Sequence, residues 1–359
     1  LEMIEKNRAH VLYQILIIVF LILIIPLLSL YAFNGESRID LFINLIPLNF
    51  IFLLISSKTE KMRKIVNGEK IVFIVSLFST IIVLIHYINV VDVKNIVANF
   101  KDVYVLRSEF GLESNSGIFG YLNLWVSKVF NVFLIIWALY RKKKFLLVIF
   151  ILFQLSLFGL SGHKSIFLSL FLVFGLYFID RFNNKSTILI FSSAITITLL
   201  LIYFNYTNDI LTLSILLRRT FFTPSYLNYV YIDFFSNNDF IFWSNSIMSF
   251  FIDFPYDVHP SNVIGRYIGH DGMGANTGII GSGYMQMGLF GIFIYTLITV
   301  VFFNKINNFN SLPLWVINSL VLMPILTLFI SSDALTSILT HGLFTAFLAL
   351  FFLSQSTNK

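Results

Sequence analysis

The sequence predicts an all-α polytopic membrane protein, and three observations carry that prediction. Of its 359 residues, 57% are hydrophobic and 12% charged, about half the charged fraction of a soluble domain. Apolar runs close to twenty residues recur along the chain, the length a helix needs to span a bilayer. Lysines and arginines concentrate in alternate connecting segments, which assigns an orientation.

Ten transmembrane helices follow, at roughly 11–33, 39–56, 71–91, 118–140, 145–160, 165–180, 187–204, 277–303, 312–331 and 334–353. The first run is too long for a signal peptide and lacks a small-residue cleavage site. The fifth and sixth helices form a tight hairpin at Ser161-Gly162-His163. A single crossing there would hold Lys164 against lipid at mid-helix, at a cost of about 3 kcal/mol. Residues 1–204 thus make an N-terminal membrane block of about seven helices and 277–359 a C-terminal block of about three. Between them lies one long polar interruption, 205–276.

With the N-terminus inside, the cytoplasmic segments hold fifteen basic residues against five acidic ones, and the external segments eight against thirteen. Both termini are therefore expected in the cytoplasm and 205–276 on the extracytoplasmic side. The net charge of +6 is a consequence of this bias and calls for no nucleic-acid partner. A second external segment, 92–117, carries Arg107, Glu109 and Glu113 after the amphipathic stretch VKNIVANFKDVYVL. With no cysteine, disulfides and thiol chemistry are excluded. No internal repeat is visible, so the inverted halves typical of secondary transporters are not apparent.

The long interruption holds Asp209, Asp233, Asp239, Asp253, Asp257, Asp271, Arg218, Arg219, Arg266, His259 and His270. It opens with LRRTFFTPSYLNYVYIDFF (217–235), where apolar positions 213, 217, 221, 224, 227, 231 and 234 step by three or four, as on one face of a helix. Pro224 should break or kink that helix. A short helix lying along the membrane surface is expected, projecting Arg218 and Arg219 at headgroup depth. Paired guanidinium groups suit a phosphate ligand, because each donates bidentate, permanently charged hydrogen bonds; interfacial anchoring is the plainer use. Ten aromatics between Phe221 and Trp243 fit an interfacial belt, with some available to stack on sugar faces.

Next comes DFPYDVHPSNVIGRYIGHDGMGANTG (253–278), the densest titratable stretch in the chain. Asp253, Asp257 or His259 is suited to general-base work on a hydroxyl, and Arg266 to neutralising a leaving phosphate. The same residue types also build ordinary solvated turns. Metal binding has no support: HExxH, histidine pairs at helical spacing and DxD are all missing. Nine of the eighteen glycines fall between Gly265 and Gly291, a pattern for close helix packing or for backbone approach to a ligand at a helix start. Three further groups sit where charge or polarity is expensive: Lys128 at mid-span, Lys164 beside His163 at the hairpin, and His86 near a helix end. Of these, Lys164 is placed on the same side as the long interruption.

These stretches resemble the Wzy-type O-antigen (polysaccharide repeat-unit) polymerases. The likeness rests on RRTFFTPSYLNYVYIDFF, the Asn/Asp-rich turn and Trp243 that follow, and ANTGIIGSGYMQMGLFG leading into the next span. It rests also on SGHKS with Gly175 following Lys164 after ten intervening residues, similar to the family's spaced Arg…Gly pattern. Here the basic residue is Lys rather than Arg, and no such spacing follows Arg218, Arg219 or Arg266. The resemblance implies a GT-C-like glycosyltransferase in the bacterial inner membrane. Such an enzyme transfers a growing glycan from undecaprenyl diphosphate to a lipid-linked repeat unit, needing no cofactor. It implies Arg218, Arg219 and Arg266, assisted by Lys164, for the donor diphosphate, and Asp253, Asp257 or His259 as base. Its partners would be the undecaprenyl-diphosphate-linked oligosaccharide and membrane lipid, with room for a chain-length regulator and a flippase. An O-antigen ligase and a repeat-unit flippase are the alternatives.

Overall fold

The structure is a computed structural model that describes residues 12–55, 65–90, 117–309 and 311–354. Residues 92–116 of the second external segment and the basic run 58–64 lie outside the described residues. Among the described residues all regular structure is helical: α1 Tyr13–Asn34, α2 Arg38–Leu54, α3 Gly68–Val90, α4 Phe119–Tyr140, α5 Lys144–Ser161, α6 Lys164–Ile179, α7 Lys185–Thr207, α8 Thr223–Ser236, α9 Pro260–Tyr267, α10 Ile279–Asn307, α11 Leu314–Ile330, α12 Ala334–Leu339 and α13 Leu343–Leu353. Each of the ten predicted stretches contains helix, and two of them, 277–303 and 334–353, are broken. Seven helices or helix pairs are long and apolar enough to cross a membrane: α1, α3, α4, α5, α7, α10 and the pair α12–α13. The remaining three, α2, α6 and α11, have 17, 16 and 17 residues. This is the architecture of a helical membrane protein.

The chain divides into two compact units. The first comprises Leu1–Ser57, Asn184–Lys305 and Leu326–Leu335. In it α1 carries a π-helical turn at Phe20–Ile24, just before Pro26, whose missing N–H cannot complete an α-helical bond. Helix α8 packs on α1 through buried hydroxyls: Ser225 donates to the Leu23 carbonyl (3.0 Å) and Tyr229 to that of Leu27 (3.1 Å). The core beneath joins Leu227, Val230, Tyr231 and Phe235 of α8 to Ile241, Ile264, Ala275 and Met285.

Helix α10 departs from the single straight span expected at 277–303. Met287 (φ −155°, ψ 34°) and Gly288 (φ 59°, ψ −136°) are non-helical. A Cβ on Gly291 would stand 2.1 Å from the Gly283 carbonyl oxygen. In a straight helix eight residues span about 12 Å, so the chain reverses, and 279–286 lies back against 289–307. Hydropathy has no sense of direction and cannot register this; a glycine at the left-handed position and two more at the contact permit it.

The second unit comprises Lys58–Asn183, Ile306–Ile325 and Thr336–Lys359. Gly162 takes the left-handed cap of α5 (φ 66°) and the chain turns straight into α6, as the hairpin prediction requires. A buried amide network ties α4, α5 and α6. Asn131 donates to Gln154 Oε1 (2.6 Å), and Gln154 donates to the Ser127 carbonyl (2.9 Å) and Ser169 Oγ (2.9 Å). The predicted helix 334–353 is interrupted between α12 and α13, where Gly342 has φ 88°. A Cβ there would meet Val129 Cγ2 at 2.9 Å, so α4 and the interruption approach closely.

Candidate functional site

The arginine pair lies on Ser214–Phe222, a π-helical segment with no buried residue. Arg218 and Arg219 are both exposed, and Arg218 Nε donates to Ser214 Oγ at 3.1 Å. Pro224 does not break the helix. It occupies the first turn of α8, where its absent N–H has no partner to lose, and the helix runs on from π to α geometry. Beyond that point the surface-lying helix expected from periodicity is corrected: α8 is buried over most of its circumference, including Ser225, Asn228, Tyr229, Tyr231 and Phe235. The reason lies in the polar side chains on its flanks, each of which is bonded to a neighbouring element. Besides the hydroxyls on α1, Tyr231 donates to the Ala275 carbonyl (2.8 Å). Asn228 Oδ1 accepts from Thr277 Oγ1 (2.7 Å) and from Gly281 N–H (3.3 Å), one of the orphan donors in the first turn of α10. Tyr229, Tyr231 and Phe235 are thus core residues rather than belt or sugar platform.

Three predicted groups come together on and around α9. Arg266 donates to Asp257 at 2.8 Å, and its Nε lies 3.9 Å from Asp271. The Arg266 hydrogen bond holds the Asp257 carboxyl below the usual carboxylate range, and Asp257 in turn raises Arg266. Two carboxylates around one guanidinium leave Arg266 a weak attraction for phosphate, and Asp257 a weak base. His259 caps α9: its Nδ1 faces Ser261 Oγ at 2.9 Å and accepts from Ser261 N–H at 3.4 Å. Partial burial lowers its affinity for a proton. With Nδ1 accepting, the ring proton resides on Nε2, so the nitrogen turned away from the cap is a donor. Asp253 is exposed. Lys164 belongs to the second unit, in the first turn of α6 after His163.

Three associations escaped prediction. Tyr267 donates to Asp233 Oδ2 at 2.6 Å, and Asp40, in the first turn of α2, lies within electrostatic reach of Asp233. In the same unit, Trp243 Nε1 donates to Tyr295 OH (2.7 Å), and Tyr295 donates to Asp333 through a very short bond. In the second unit, Lys128 Nζ lies 3.0 Å from His341 Nδ1, with His163 in electrostatic reach of His341. Lys128 stands in the π-helical turn Val126–Phe130 of α4, and Trp125 Nε1 donates to the Leu339 carbonyl at 2.7 Å beside it. The sequence signal for Lys128 was its mid-span position. Its partner, 213 residues away, gave none. His86 stacks on Phe119 with centroids 3.7 Å apart.

Compared with protein-family models, with curated proteins and with solved structures, the chain matches none.

Proposed function

We propose that the chain is a GT-C-like membrane glycosyltransferase of ten spans, a polysaccharide repeat-unit polymerase working at the extracytoplasmic face of a bacterial inner membrane, with both termini in the cytoplasm. The observation that carries this reading is the exposed arginine pair, Arg218 and Arg219, at the head of the long polar segment. Permanent bidentate donors at that place suit the diphosphate of a lipid-linked sugar donor. In the reaction, the acceptor hydroxyl oxygen attacks the anomeric carbon of the donor. The bond from that carbon to the diphosphate oxygen breaks, undecaprenyl diphosphate leaves with the electron pair, and the hydroxyl proton passes to a base. Arg218 and Arg219 stabilise the leaving diphosphate. Arg266 joins them only by exchanging its carboxylates for phosphate. Among the three proposed bases Asp253 is favoured, since Asp257 is held by Arg266 and His259 is committed to a helix cap.

Deleting the gene and examining surface glycan and lipid-linked intermediates tests this. A polymerase leaves core lipid capped with a single repeat unit. Unattached lipid-linked polymer would identify a ligase instead, and loss of all external repeat units a flippase.

A further inference from the structure

Residues 240–252 form an uncharged part of the polar interruption, bracketed by Asp239 and Asp253, both exposed. The stretch is nonetheless apolar at its surface: Ile247 is 63% exposed, Phe250 93% and Phe251 82%. In water, side chains so uncovered would be a liability. The loop's backbone is bonded in part to itself. Ser246 and Met248 N–H groups bond to the Trp243 carbonyl (2.9 and 3.1 Å), and those of Phe251 and Ile252 to the Met248 carbonyl (2.9 and 3.0 Å). The Ser244 and Ser246 hydroxyls also donate back, to the carbonyls of Ile241 and Trp243. Bonds of this kind reduce the number of backbone groups that must be satisfied by water.

The base of the loop is fixed to a spanning helix. Ile241 and Phe242 N–H groups bond to the Met285 and Gln286 carbonyls (3.0 and 3.1 Å), at the end of the folded-back arm of α10. The Trp243 N–H bonds to Gln286 Oε1 (2.6 Å), and its indole reaches Tyr295, well inside the other arm. That arm exposes Leu289, Phe290 and Phe293, so the loop is fixed at its base to a helix with an apolar outer surface of its own. Phe242 and Trp243 hold consecutive left-handed conformations (φ 47° and 57°), which bulky residues accept only when surrounding contacts impose them.

We propose that the partner of Ile247, Phe250 and Phe251 is the lipid bilayer itself, and that this loop, rather than the buried α8, is the interfacial anchor of the polar segment. Asp239 and Asp253 stay in water while the apolar side chains between them enter the headgroup–acyl boundary of the leaflet they face. The proposal rests on the membrane architecture and is independent of the glycosyltransferase reading.

The chain contains no cysteine, so single nitroxide labels can be placed without a background. Phe250→Cys, Phe251→Cys and Asp253→Cys would each be labelled in full-length protein in phosphatidylethanolamine–phosphatidylglycerol nanodiscs. Phe191→Cys, on the exposed face of α7, gives the lipid reference. Collision rates with oxygen and with a water-soluble nickel chelate then report depth. The expected result is oxygen preference at 250 and 251, as at 191, with the preference shifted to nickel at 253. Nickel preference at 250 and 251 would overturn the proposal in favour of an aqueous loop. Low access to both reagents would overturn it in favour of a protein partner.

Discussion

Lys128 and His341 meet at 3.0 Å where two irregular helices touch: the π-helical turn of α4 and the interruption between α12 and α13. Only 7% of Lys128 is exposed, so its ammonium depends on protein groups for hydrogen bonding. A hydrogen bond to a charged group is worth about 1.5–3 kcal/mol. His341→Ala should therefore lower the thermal midpoint of the detergent-solubilised protein by several degrees. Lys128→Met combined with His341→Phe should recover part of that loss, a non-additivity measurable in a double-mutant cycle. Additive losses would show that the two side chains act separately.

The folded-back arm of α10 makes sharp demands at two glycines. Gly288 sits at φ 59°, ψ −136°, and Gly291 faces the Gly283 carbonyl at a distance no Cβ tolerates. Gly288→Ala should cost about 1–3 kcal/mol through backbone strain, and Gly291→Ala should force the arms apart and reduce the yield of folded protein. Gly175, in α6 with nothing near its absent Cβ, is the contrast. Gly175→Ala should be neutral or stabilising by about 1 kcal/mol, as in any open helical position. Size-exclusion profiles and thermal midpoints of the three variants check this.

The His259 cap predicts a pH dependence. Burial lowers its folded-state pKa below the ordinary 6.5, so its contribution to α9 is fully present above that value and is lost as pH falls through the lowered folded value. Protonating Nδ1 also removes the acceptor for Ser261 N–H. Hydrogen exchange of amides in α9, corrected for intrinsic rates, should be slow at pH 7.5 and faster near pH 5. His259→Asn, which keeps a cap, should abolish the difference.

The arginines should separate in function. Arg218→Ala and Arg219→Ala are expected to cut polymer formation by about a hundredfold each, the scale of losing one charge-stabilising donor, with protein levels unchanged. Arg266→Ala should cost less, because its guanidinium is already shared between Asp257 and Asp271. Gel analysis of surface glycan in a complemented deletion strain reads all three. Equal polymer in every variant would remove the arginines from the reaction.

Much of the fold was legible because burial in lipid leaves a strong one-dimensional signal. The α5–α6 hairpin was readable from Gly162 and the cost of a lipid-exposed Lys164. Reversal at Gly288 was not, since an apolar run carries no mark of where it turns back. Periodicity found the exposed side of 213–235, Arg218 and Arg219 included. It could not show that Tyr229, Tyr231 and Asn228 had bonding partners on other elements, and so mistook a buried helix for a surface one. The candidate site suffers the same limit. Arg266 and Asp257 are nine residues apart and lay within one predicted cluster, whereas Tyr295 and Asp333, or Asp40 and Asp233, are joined only by folding.

The most direct test of the central claim is reconstitution of the full chain in proteoliposomes with an undecaprenyl-diphosphate-linked repeat unit. The prediction is lipid-linked polymer, with one undecaprenyl diphosphate released for each glycosidic bond formed. A repeat unit that remains unextended, or that crosses the bilayer intact, would contradict it.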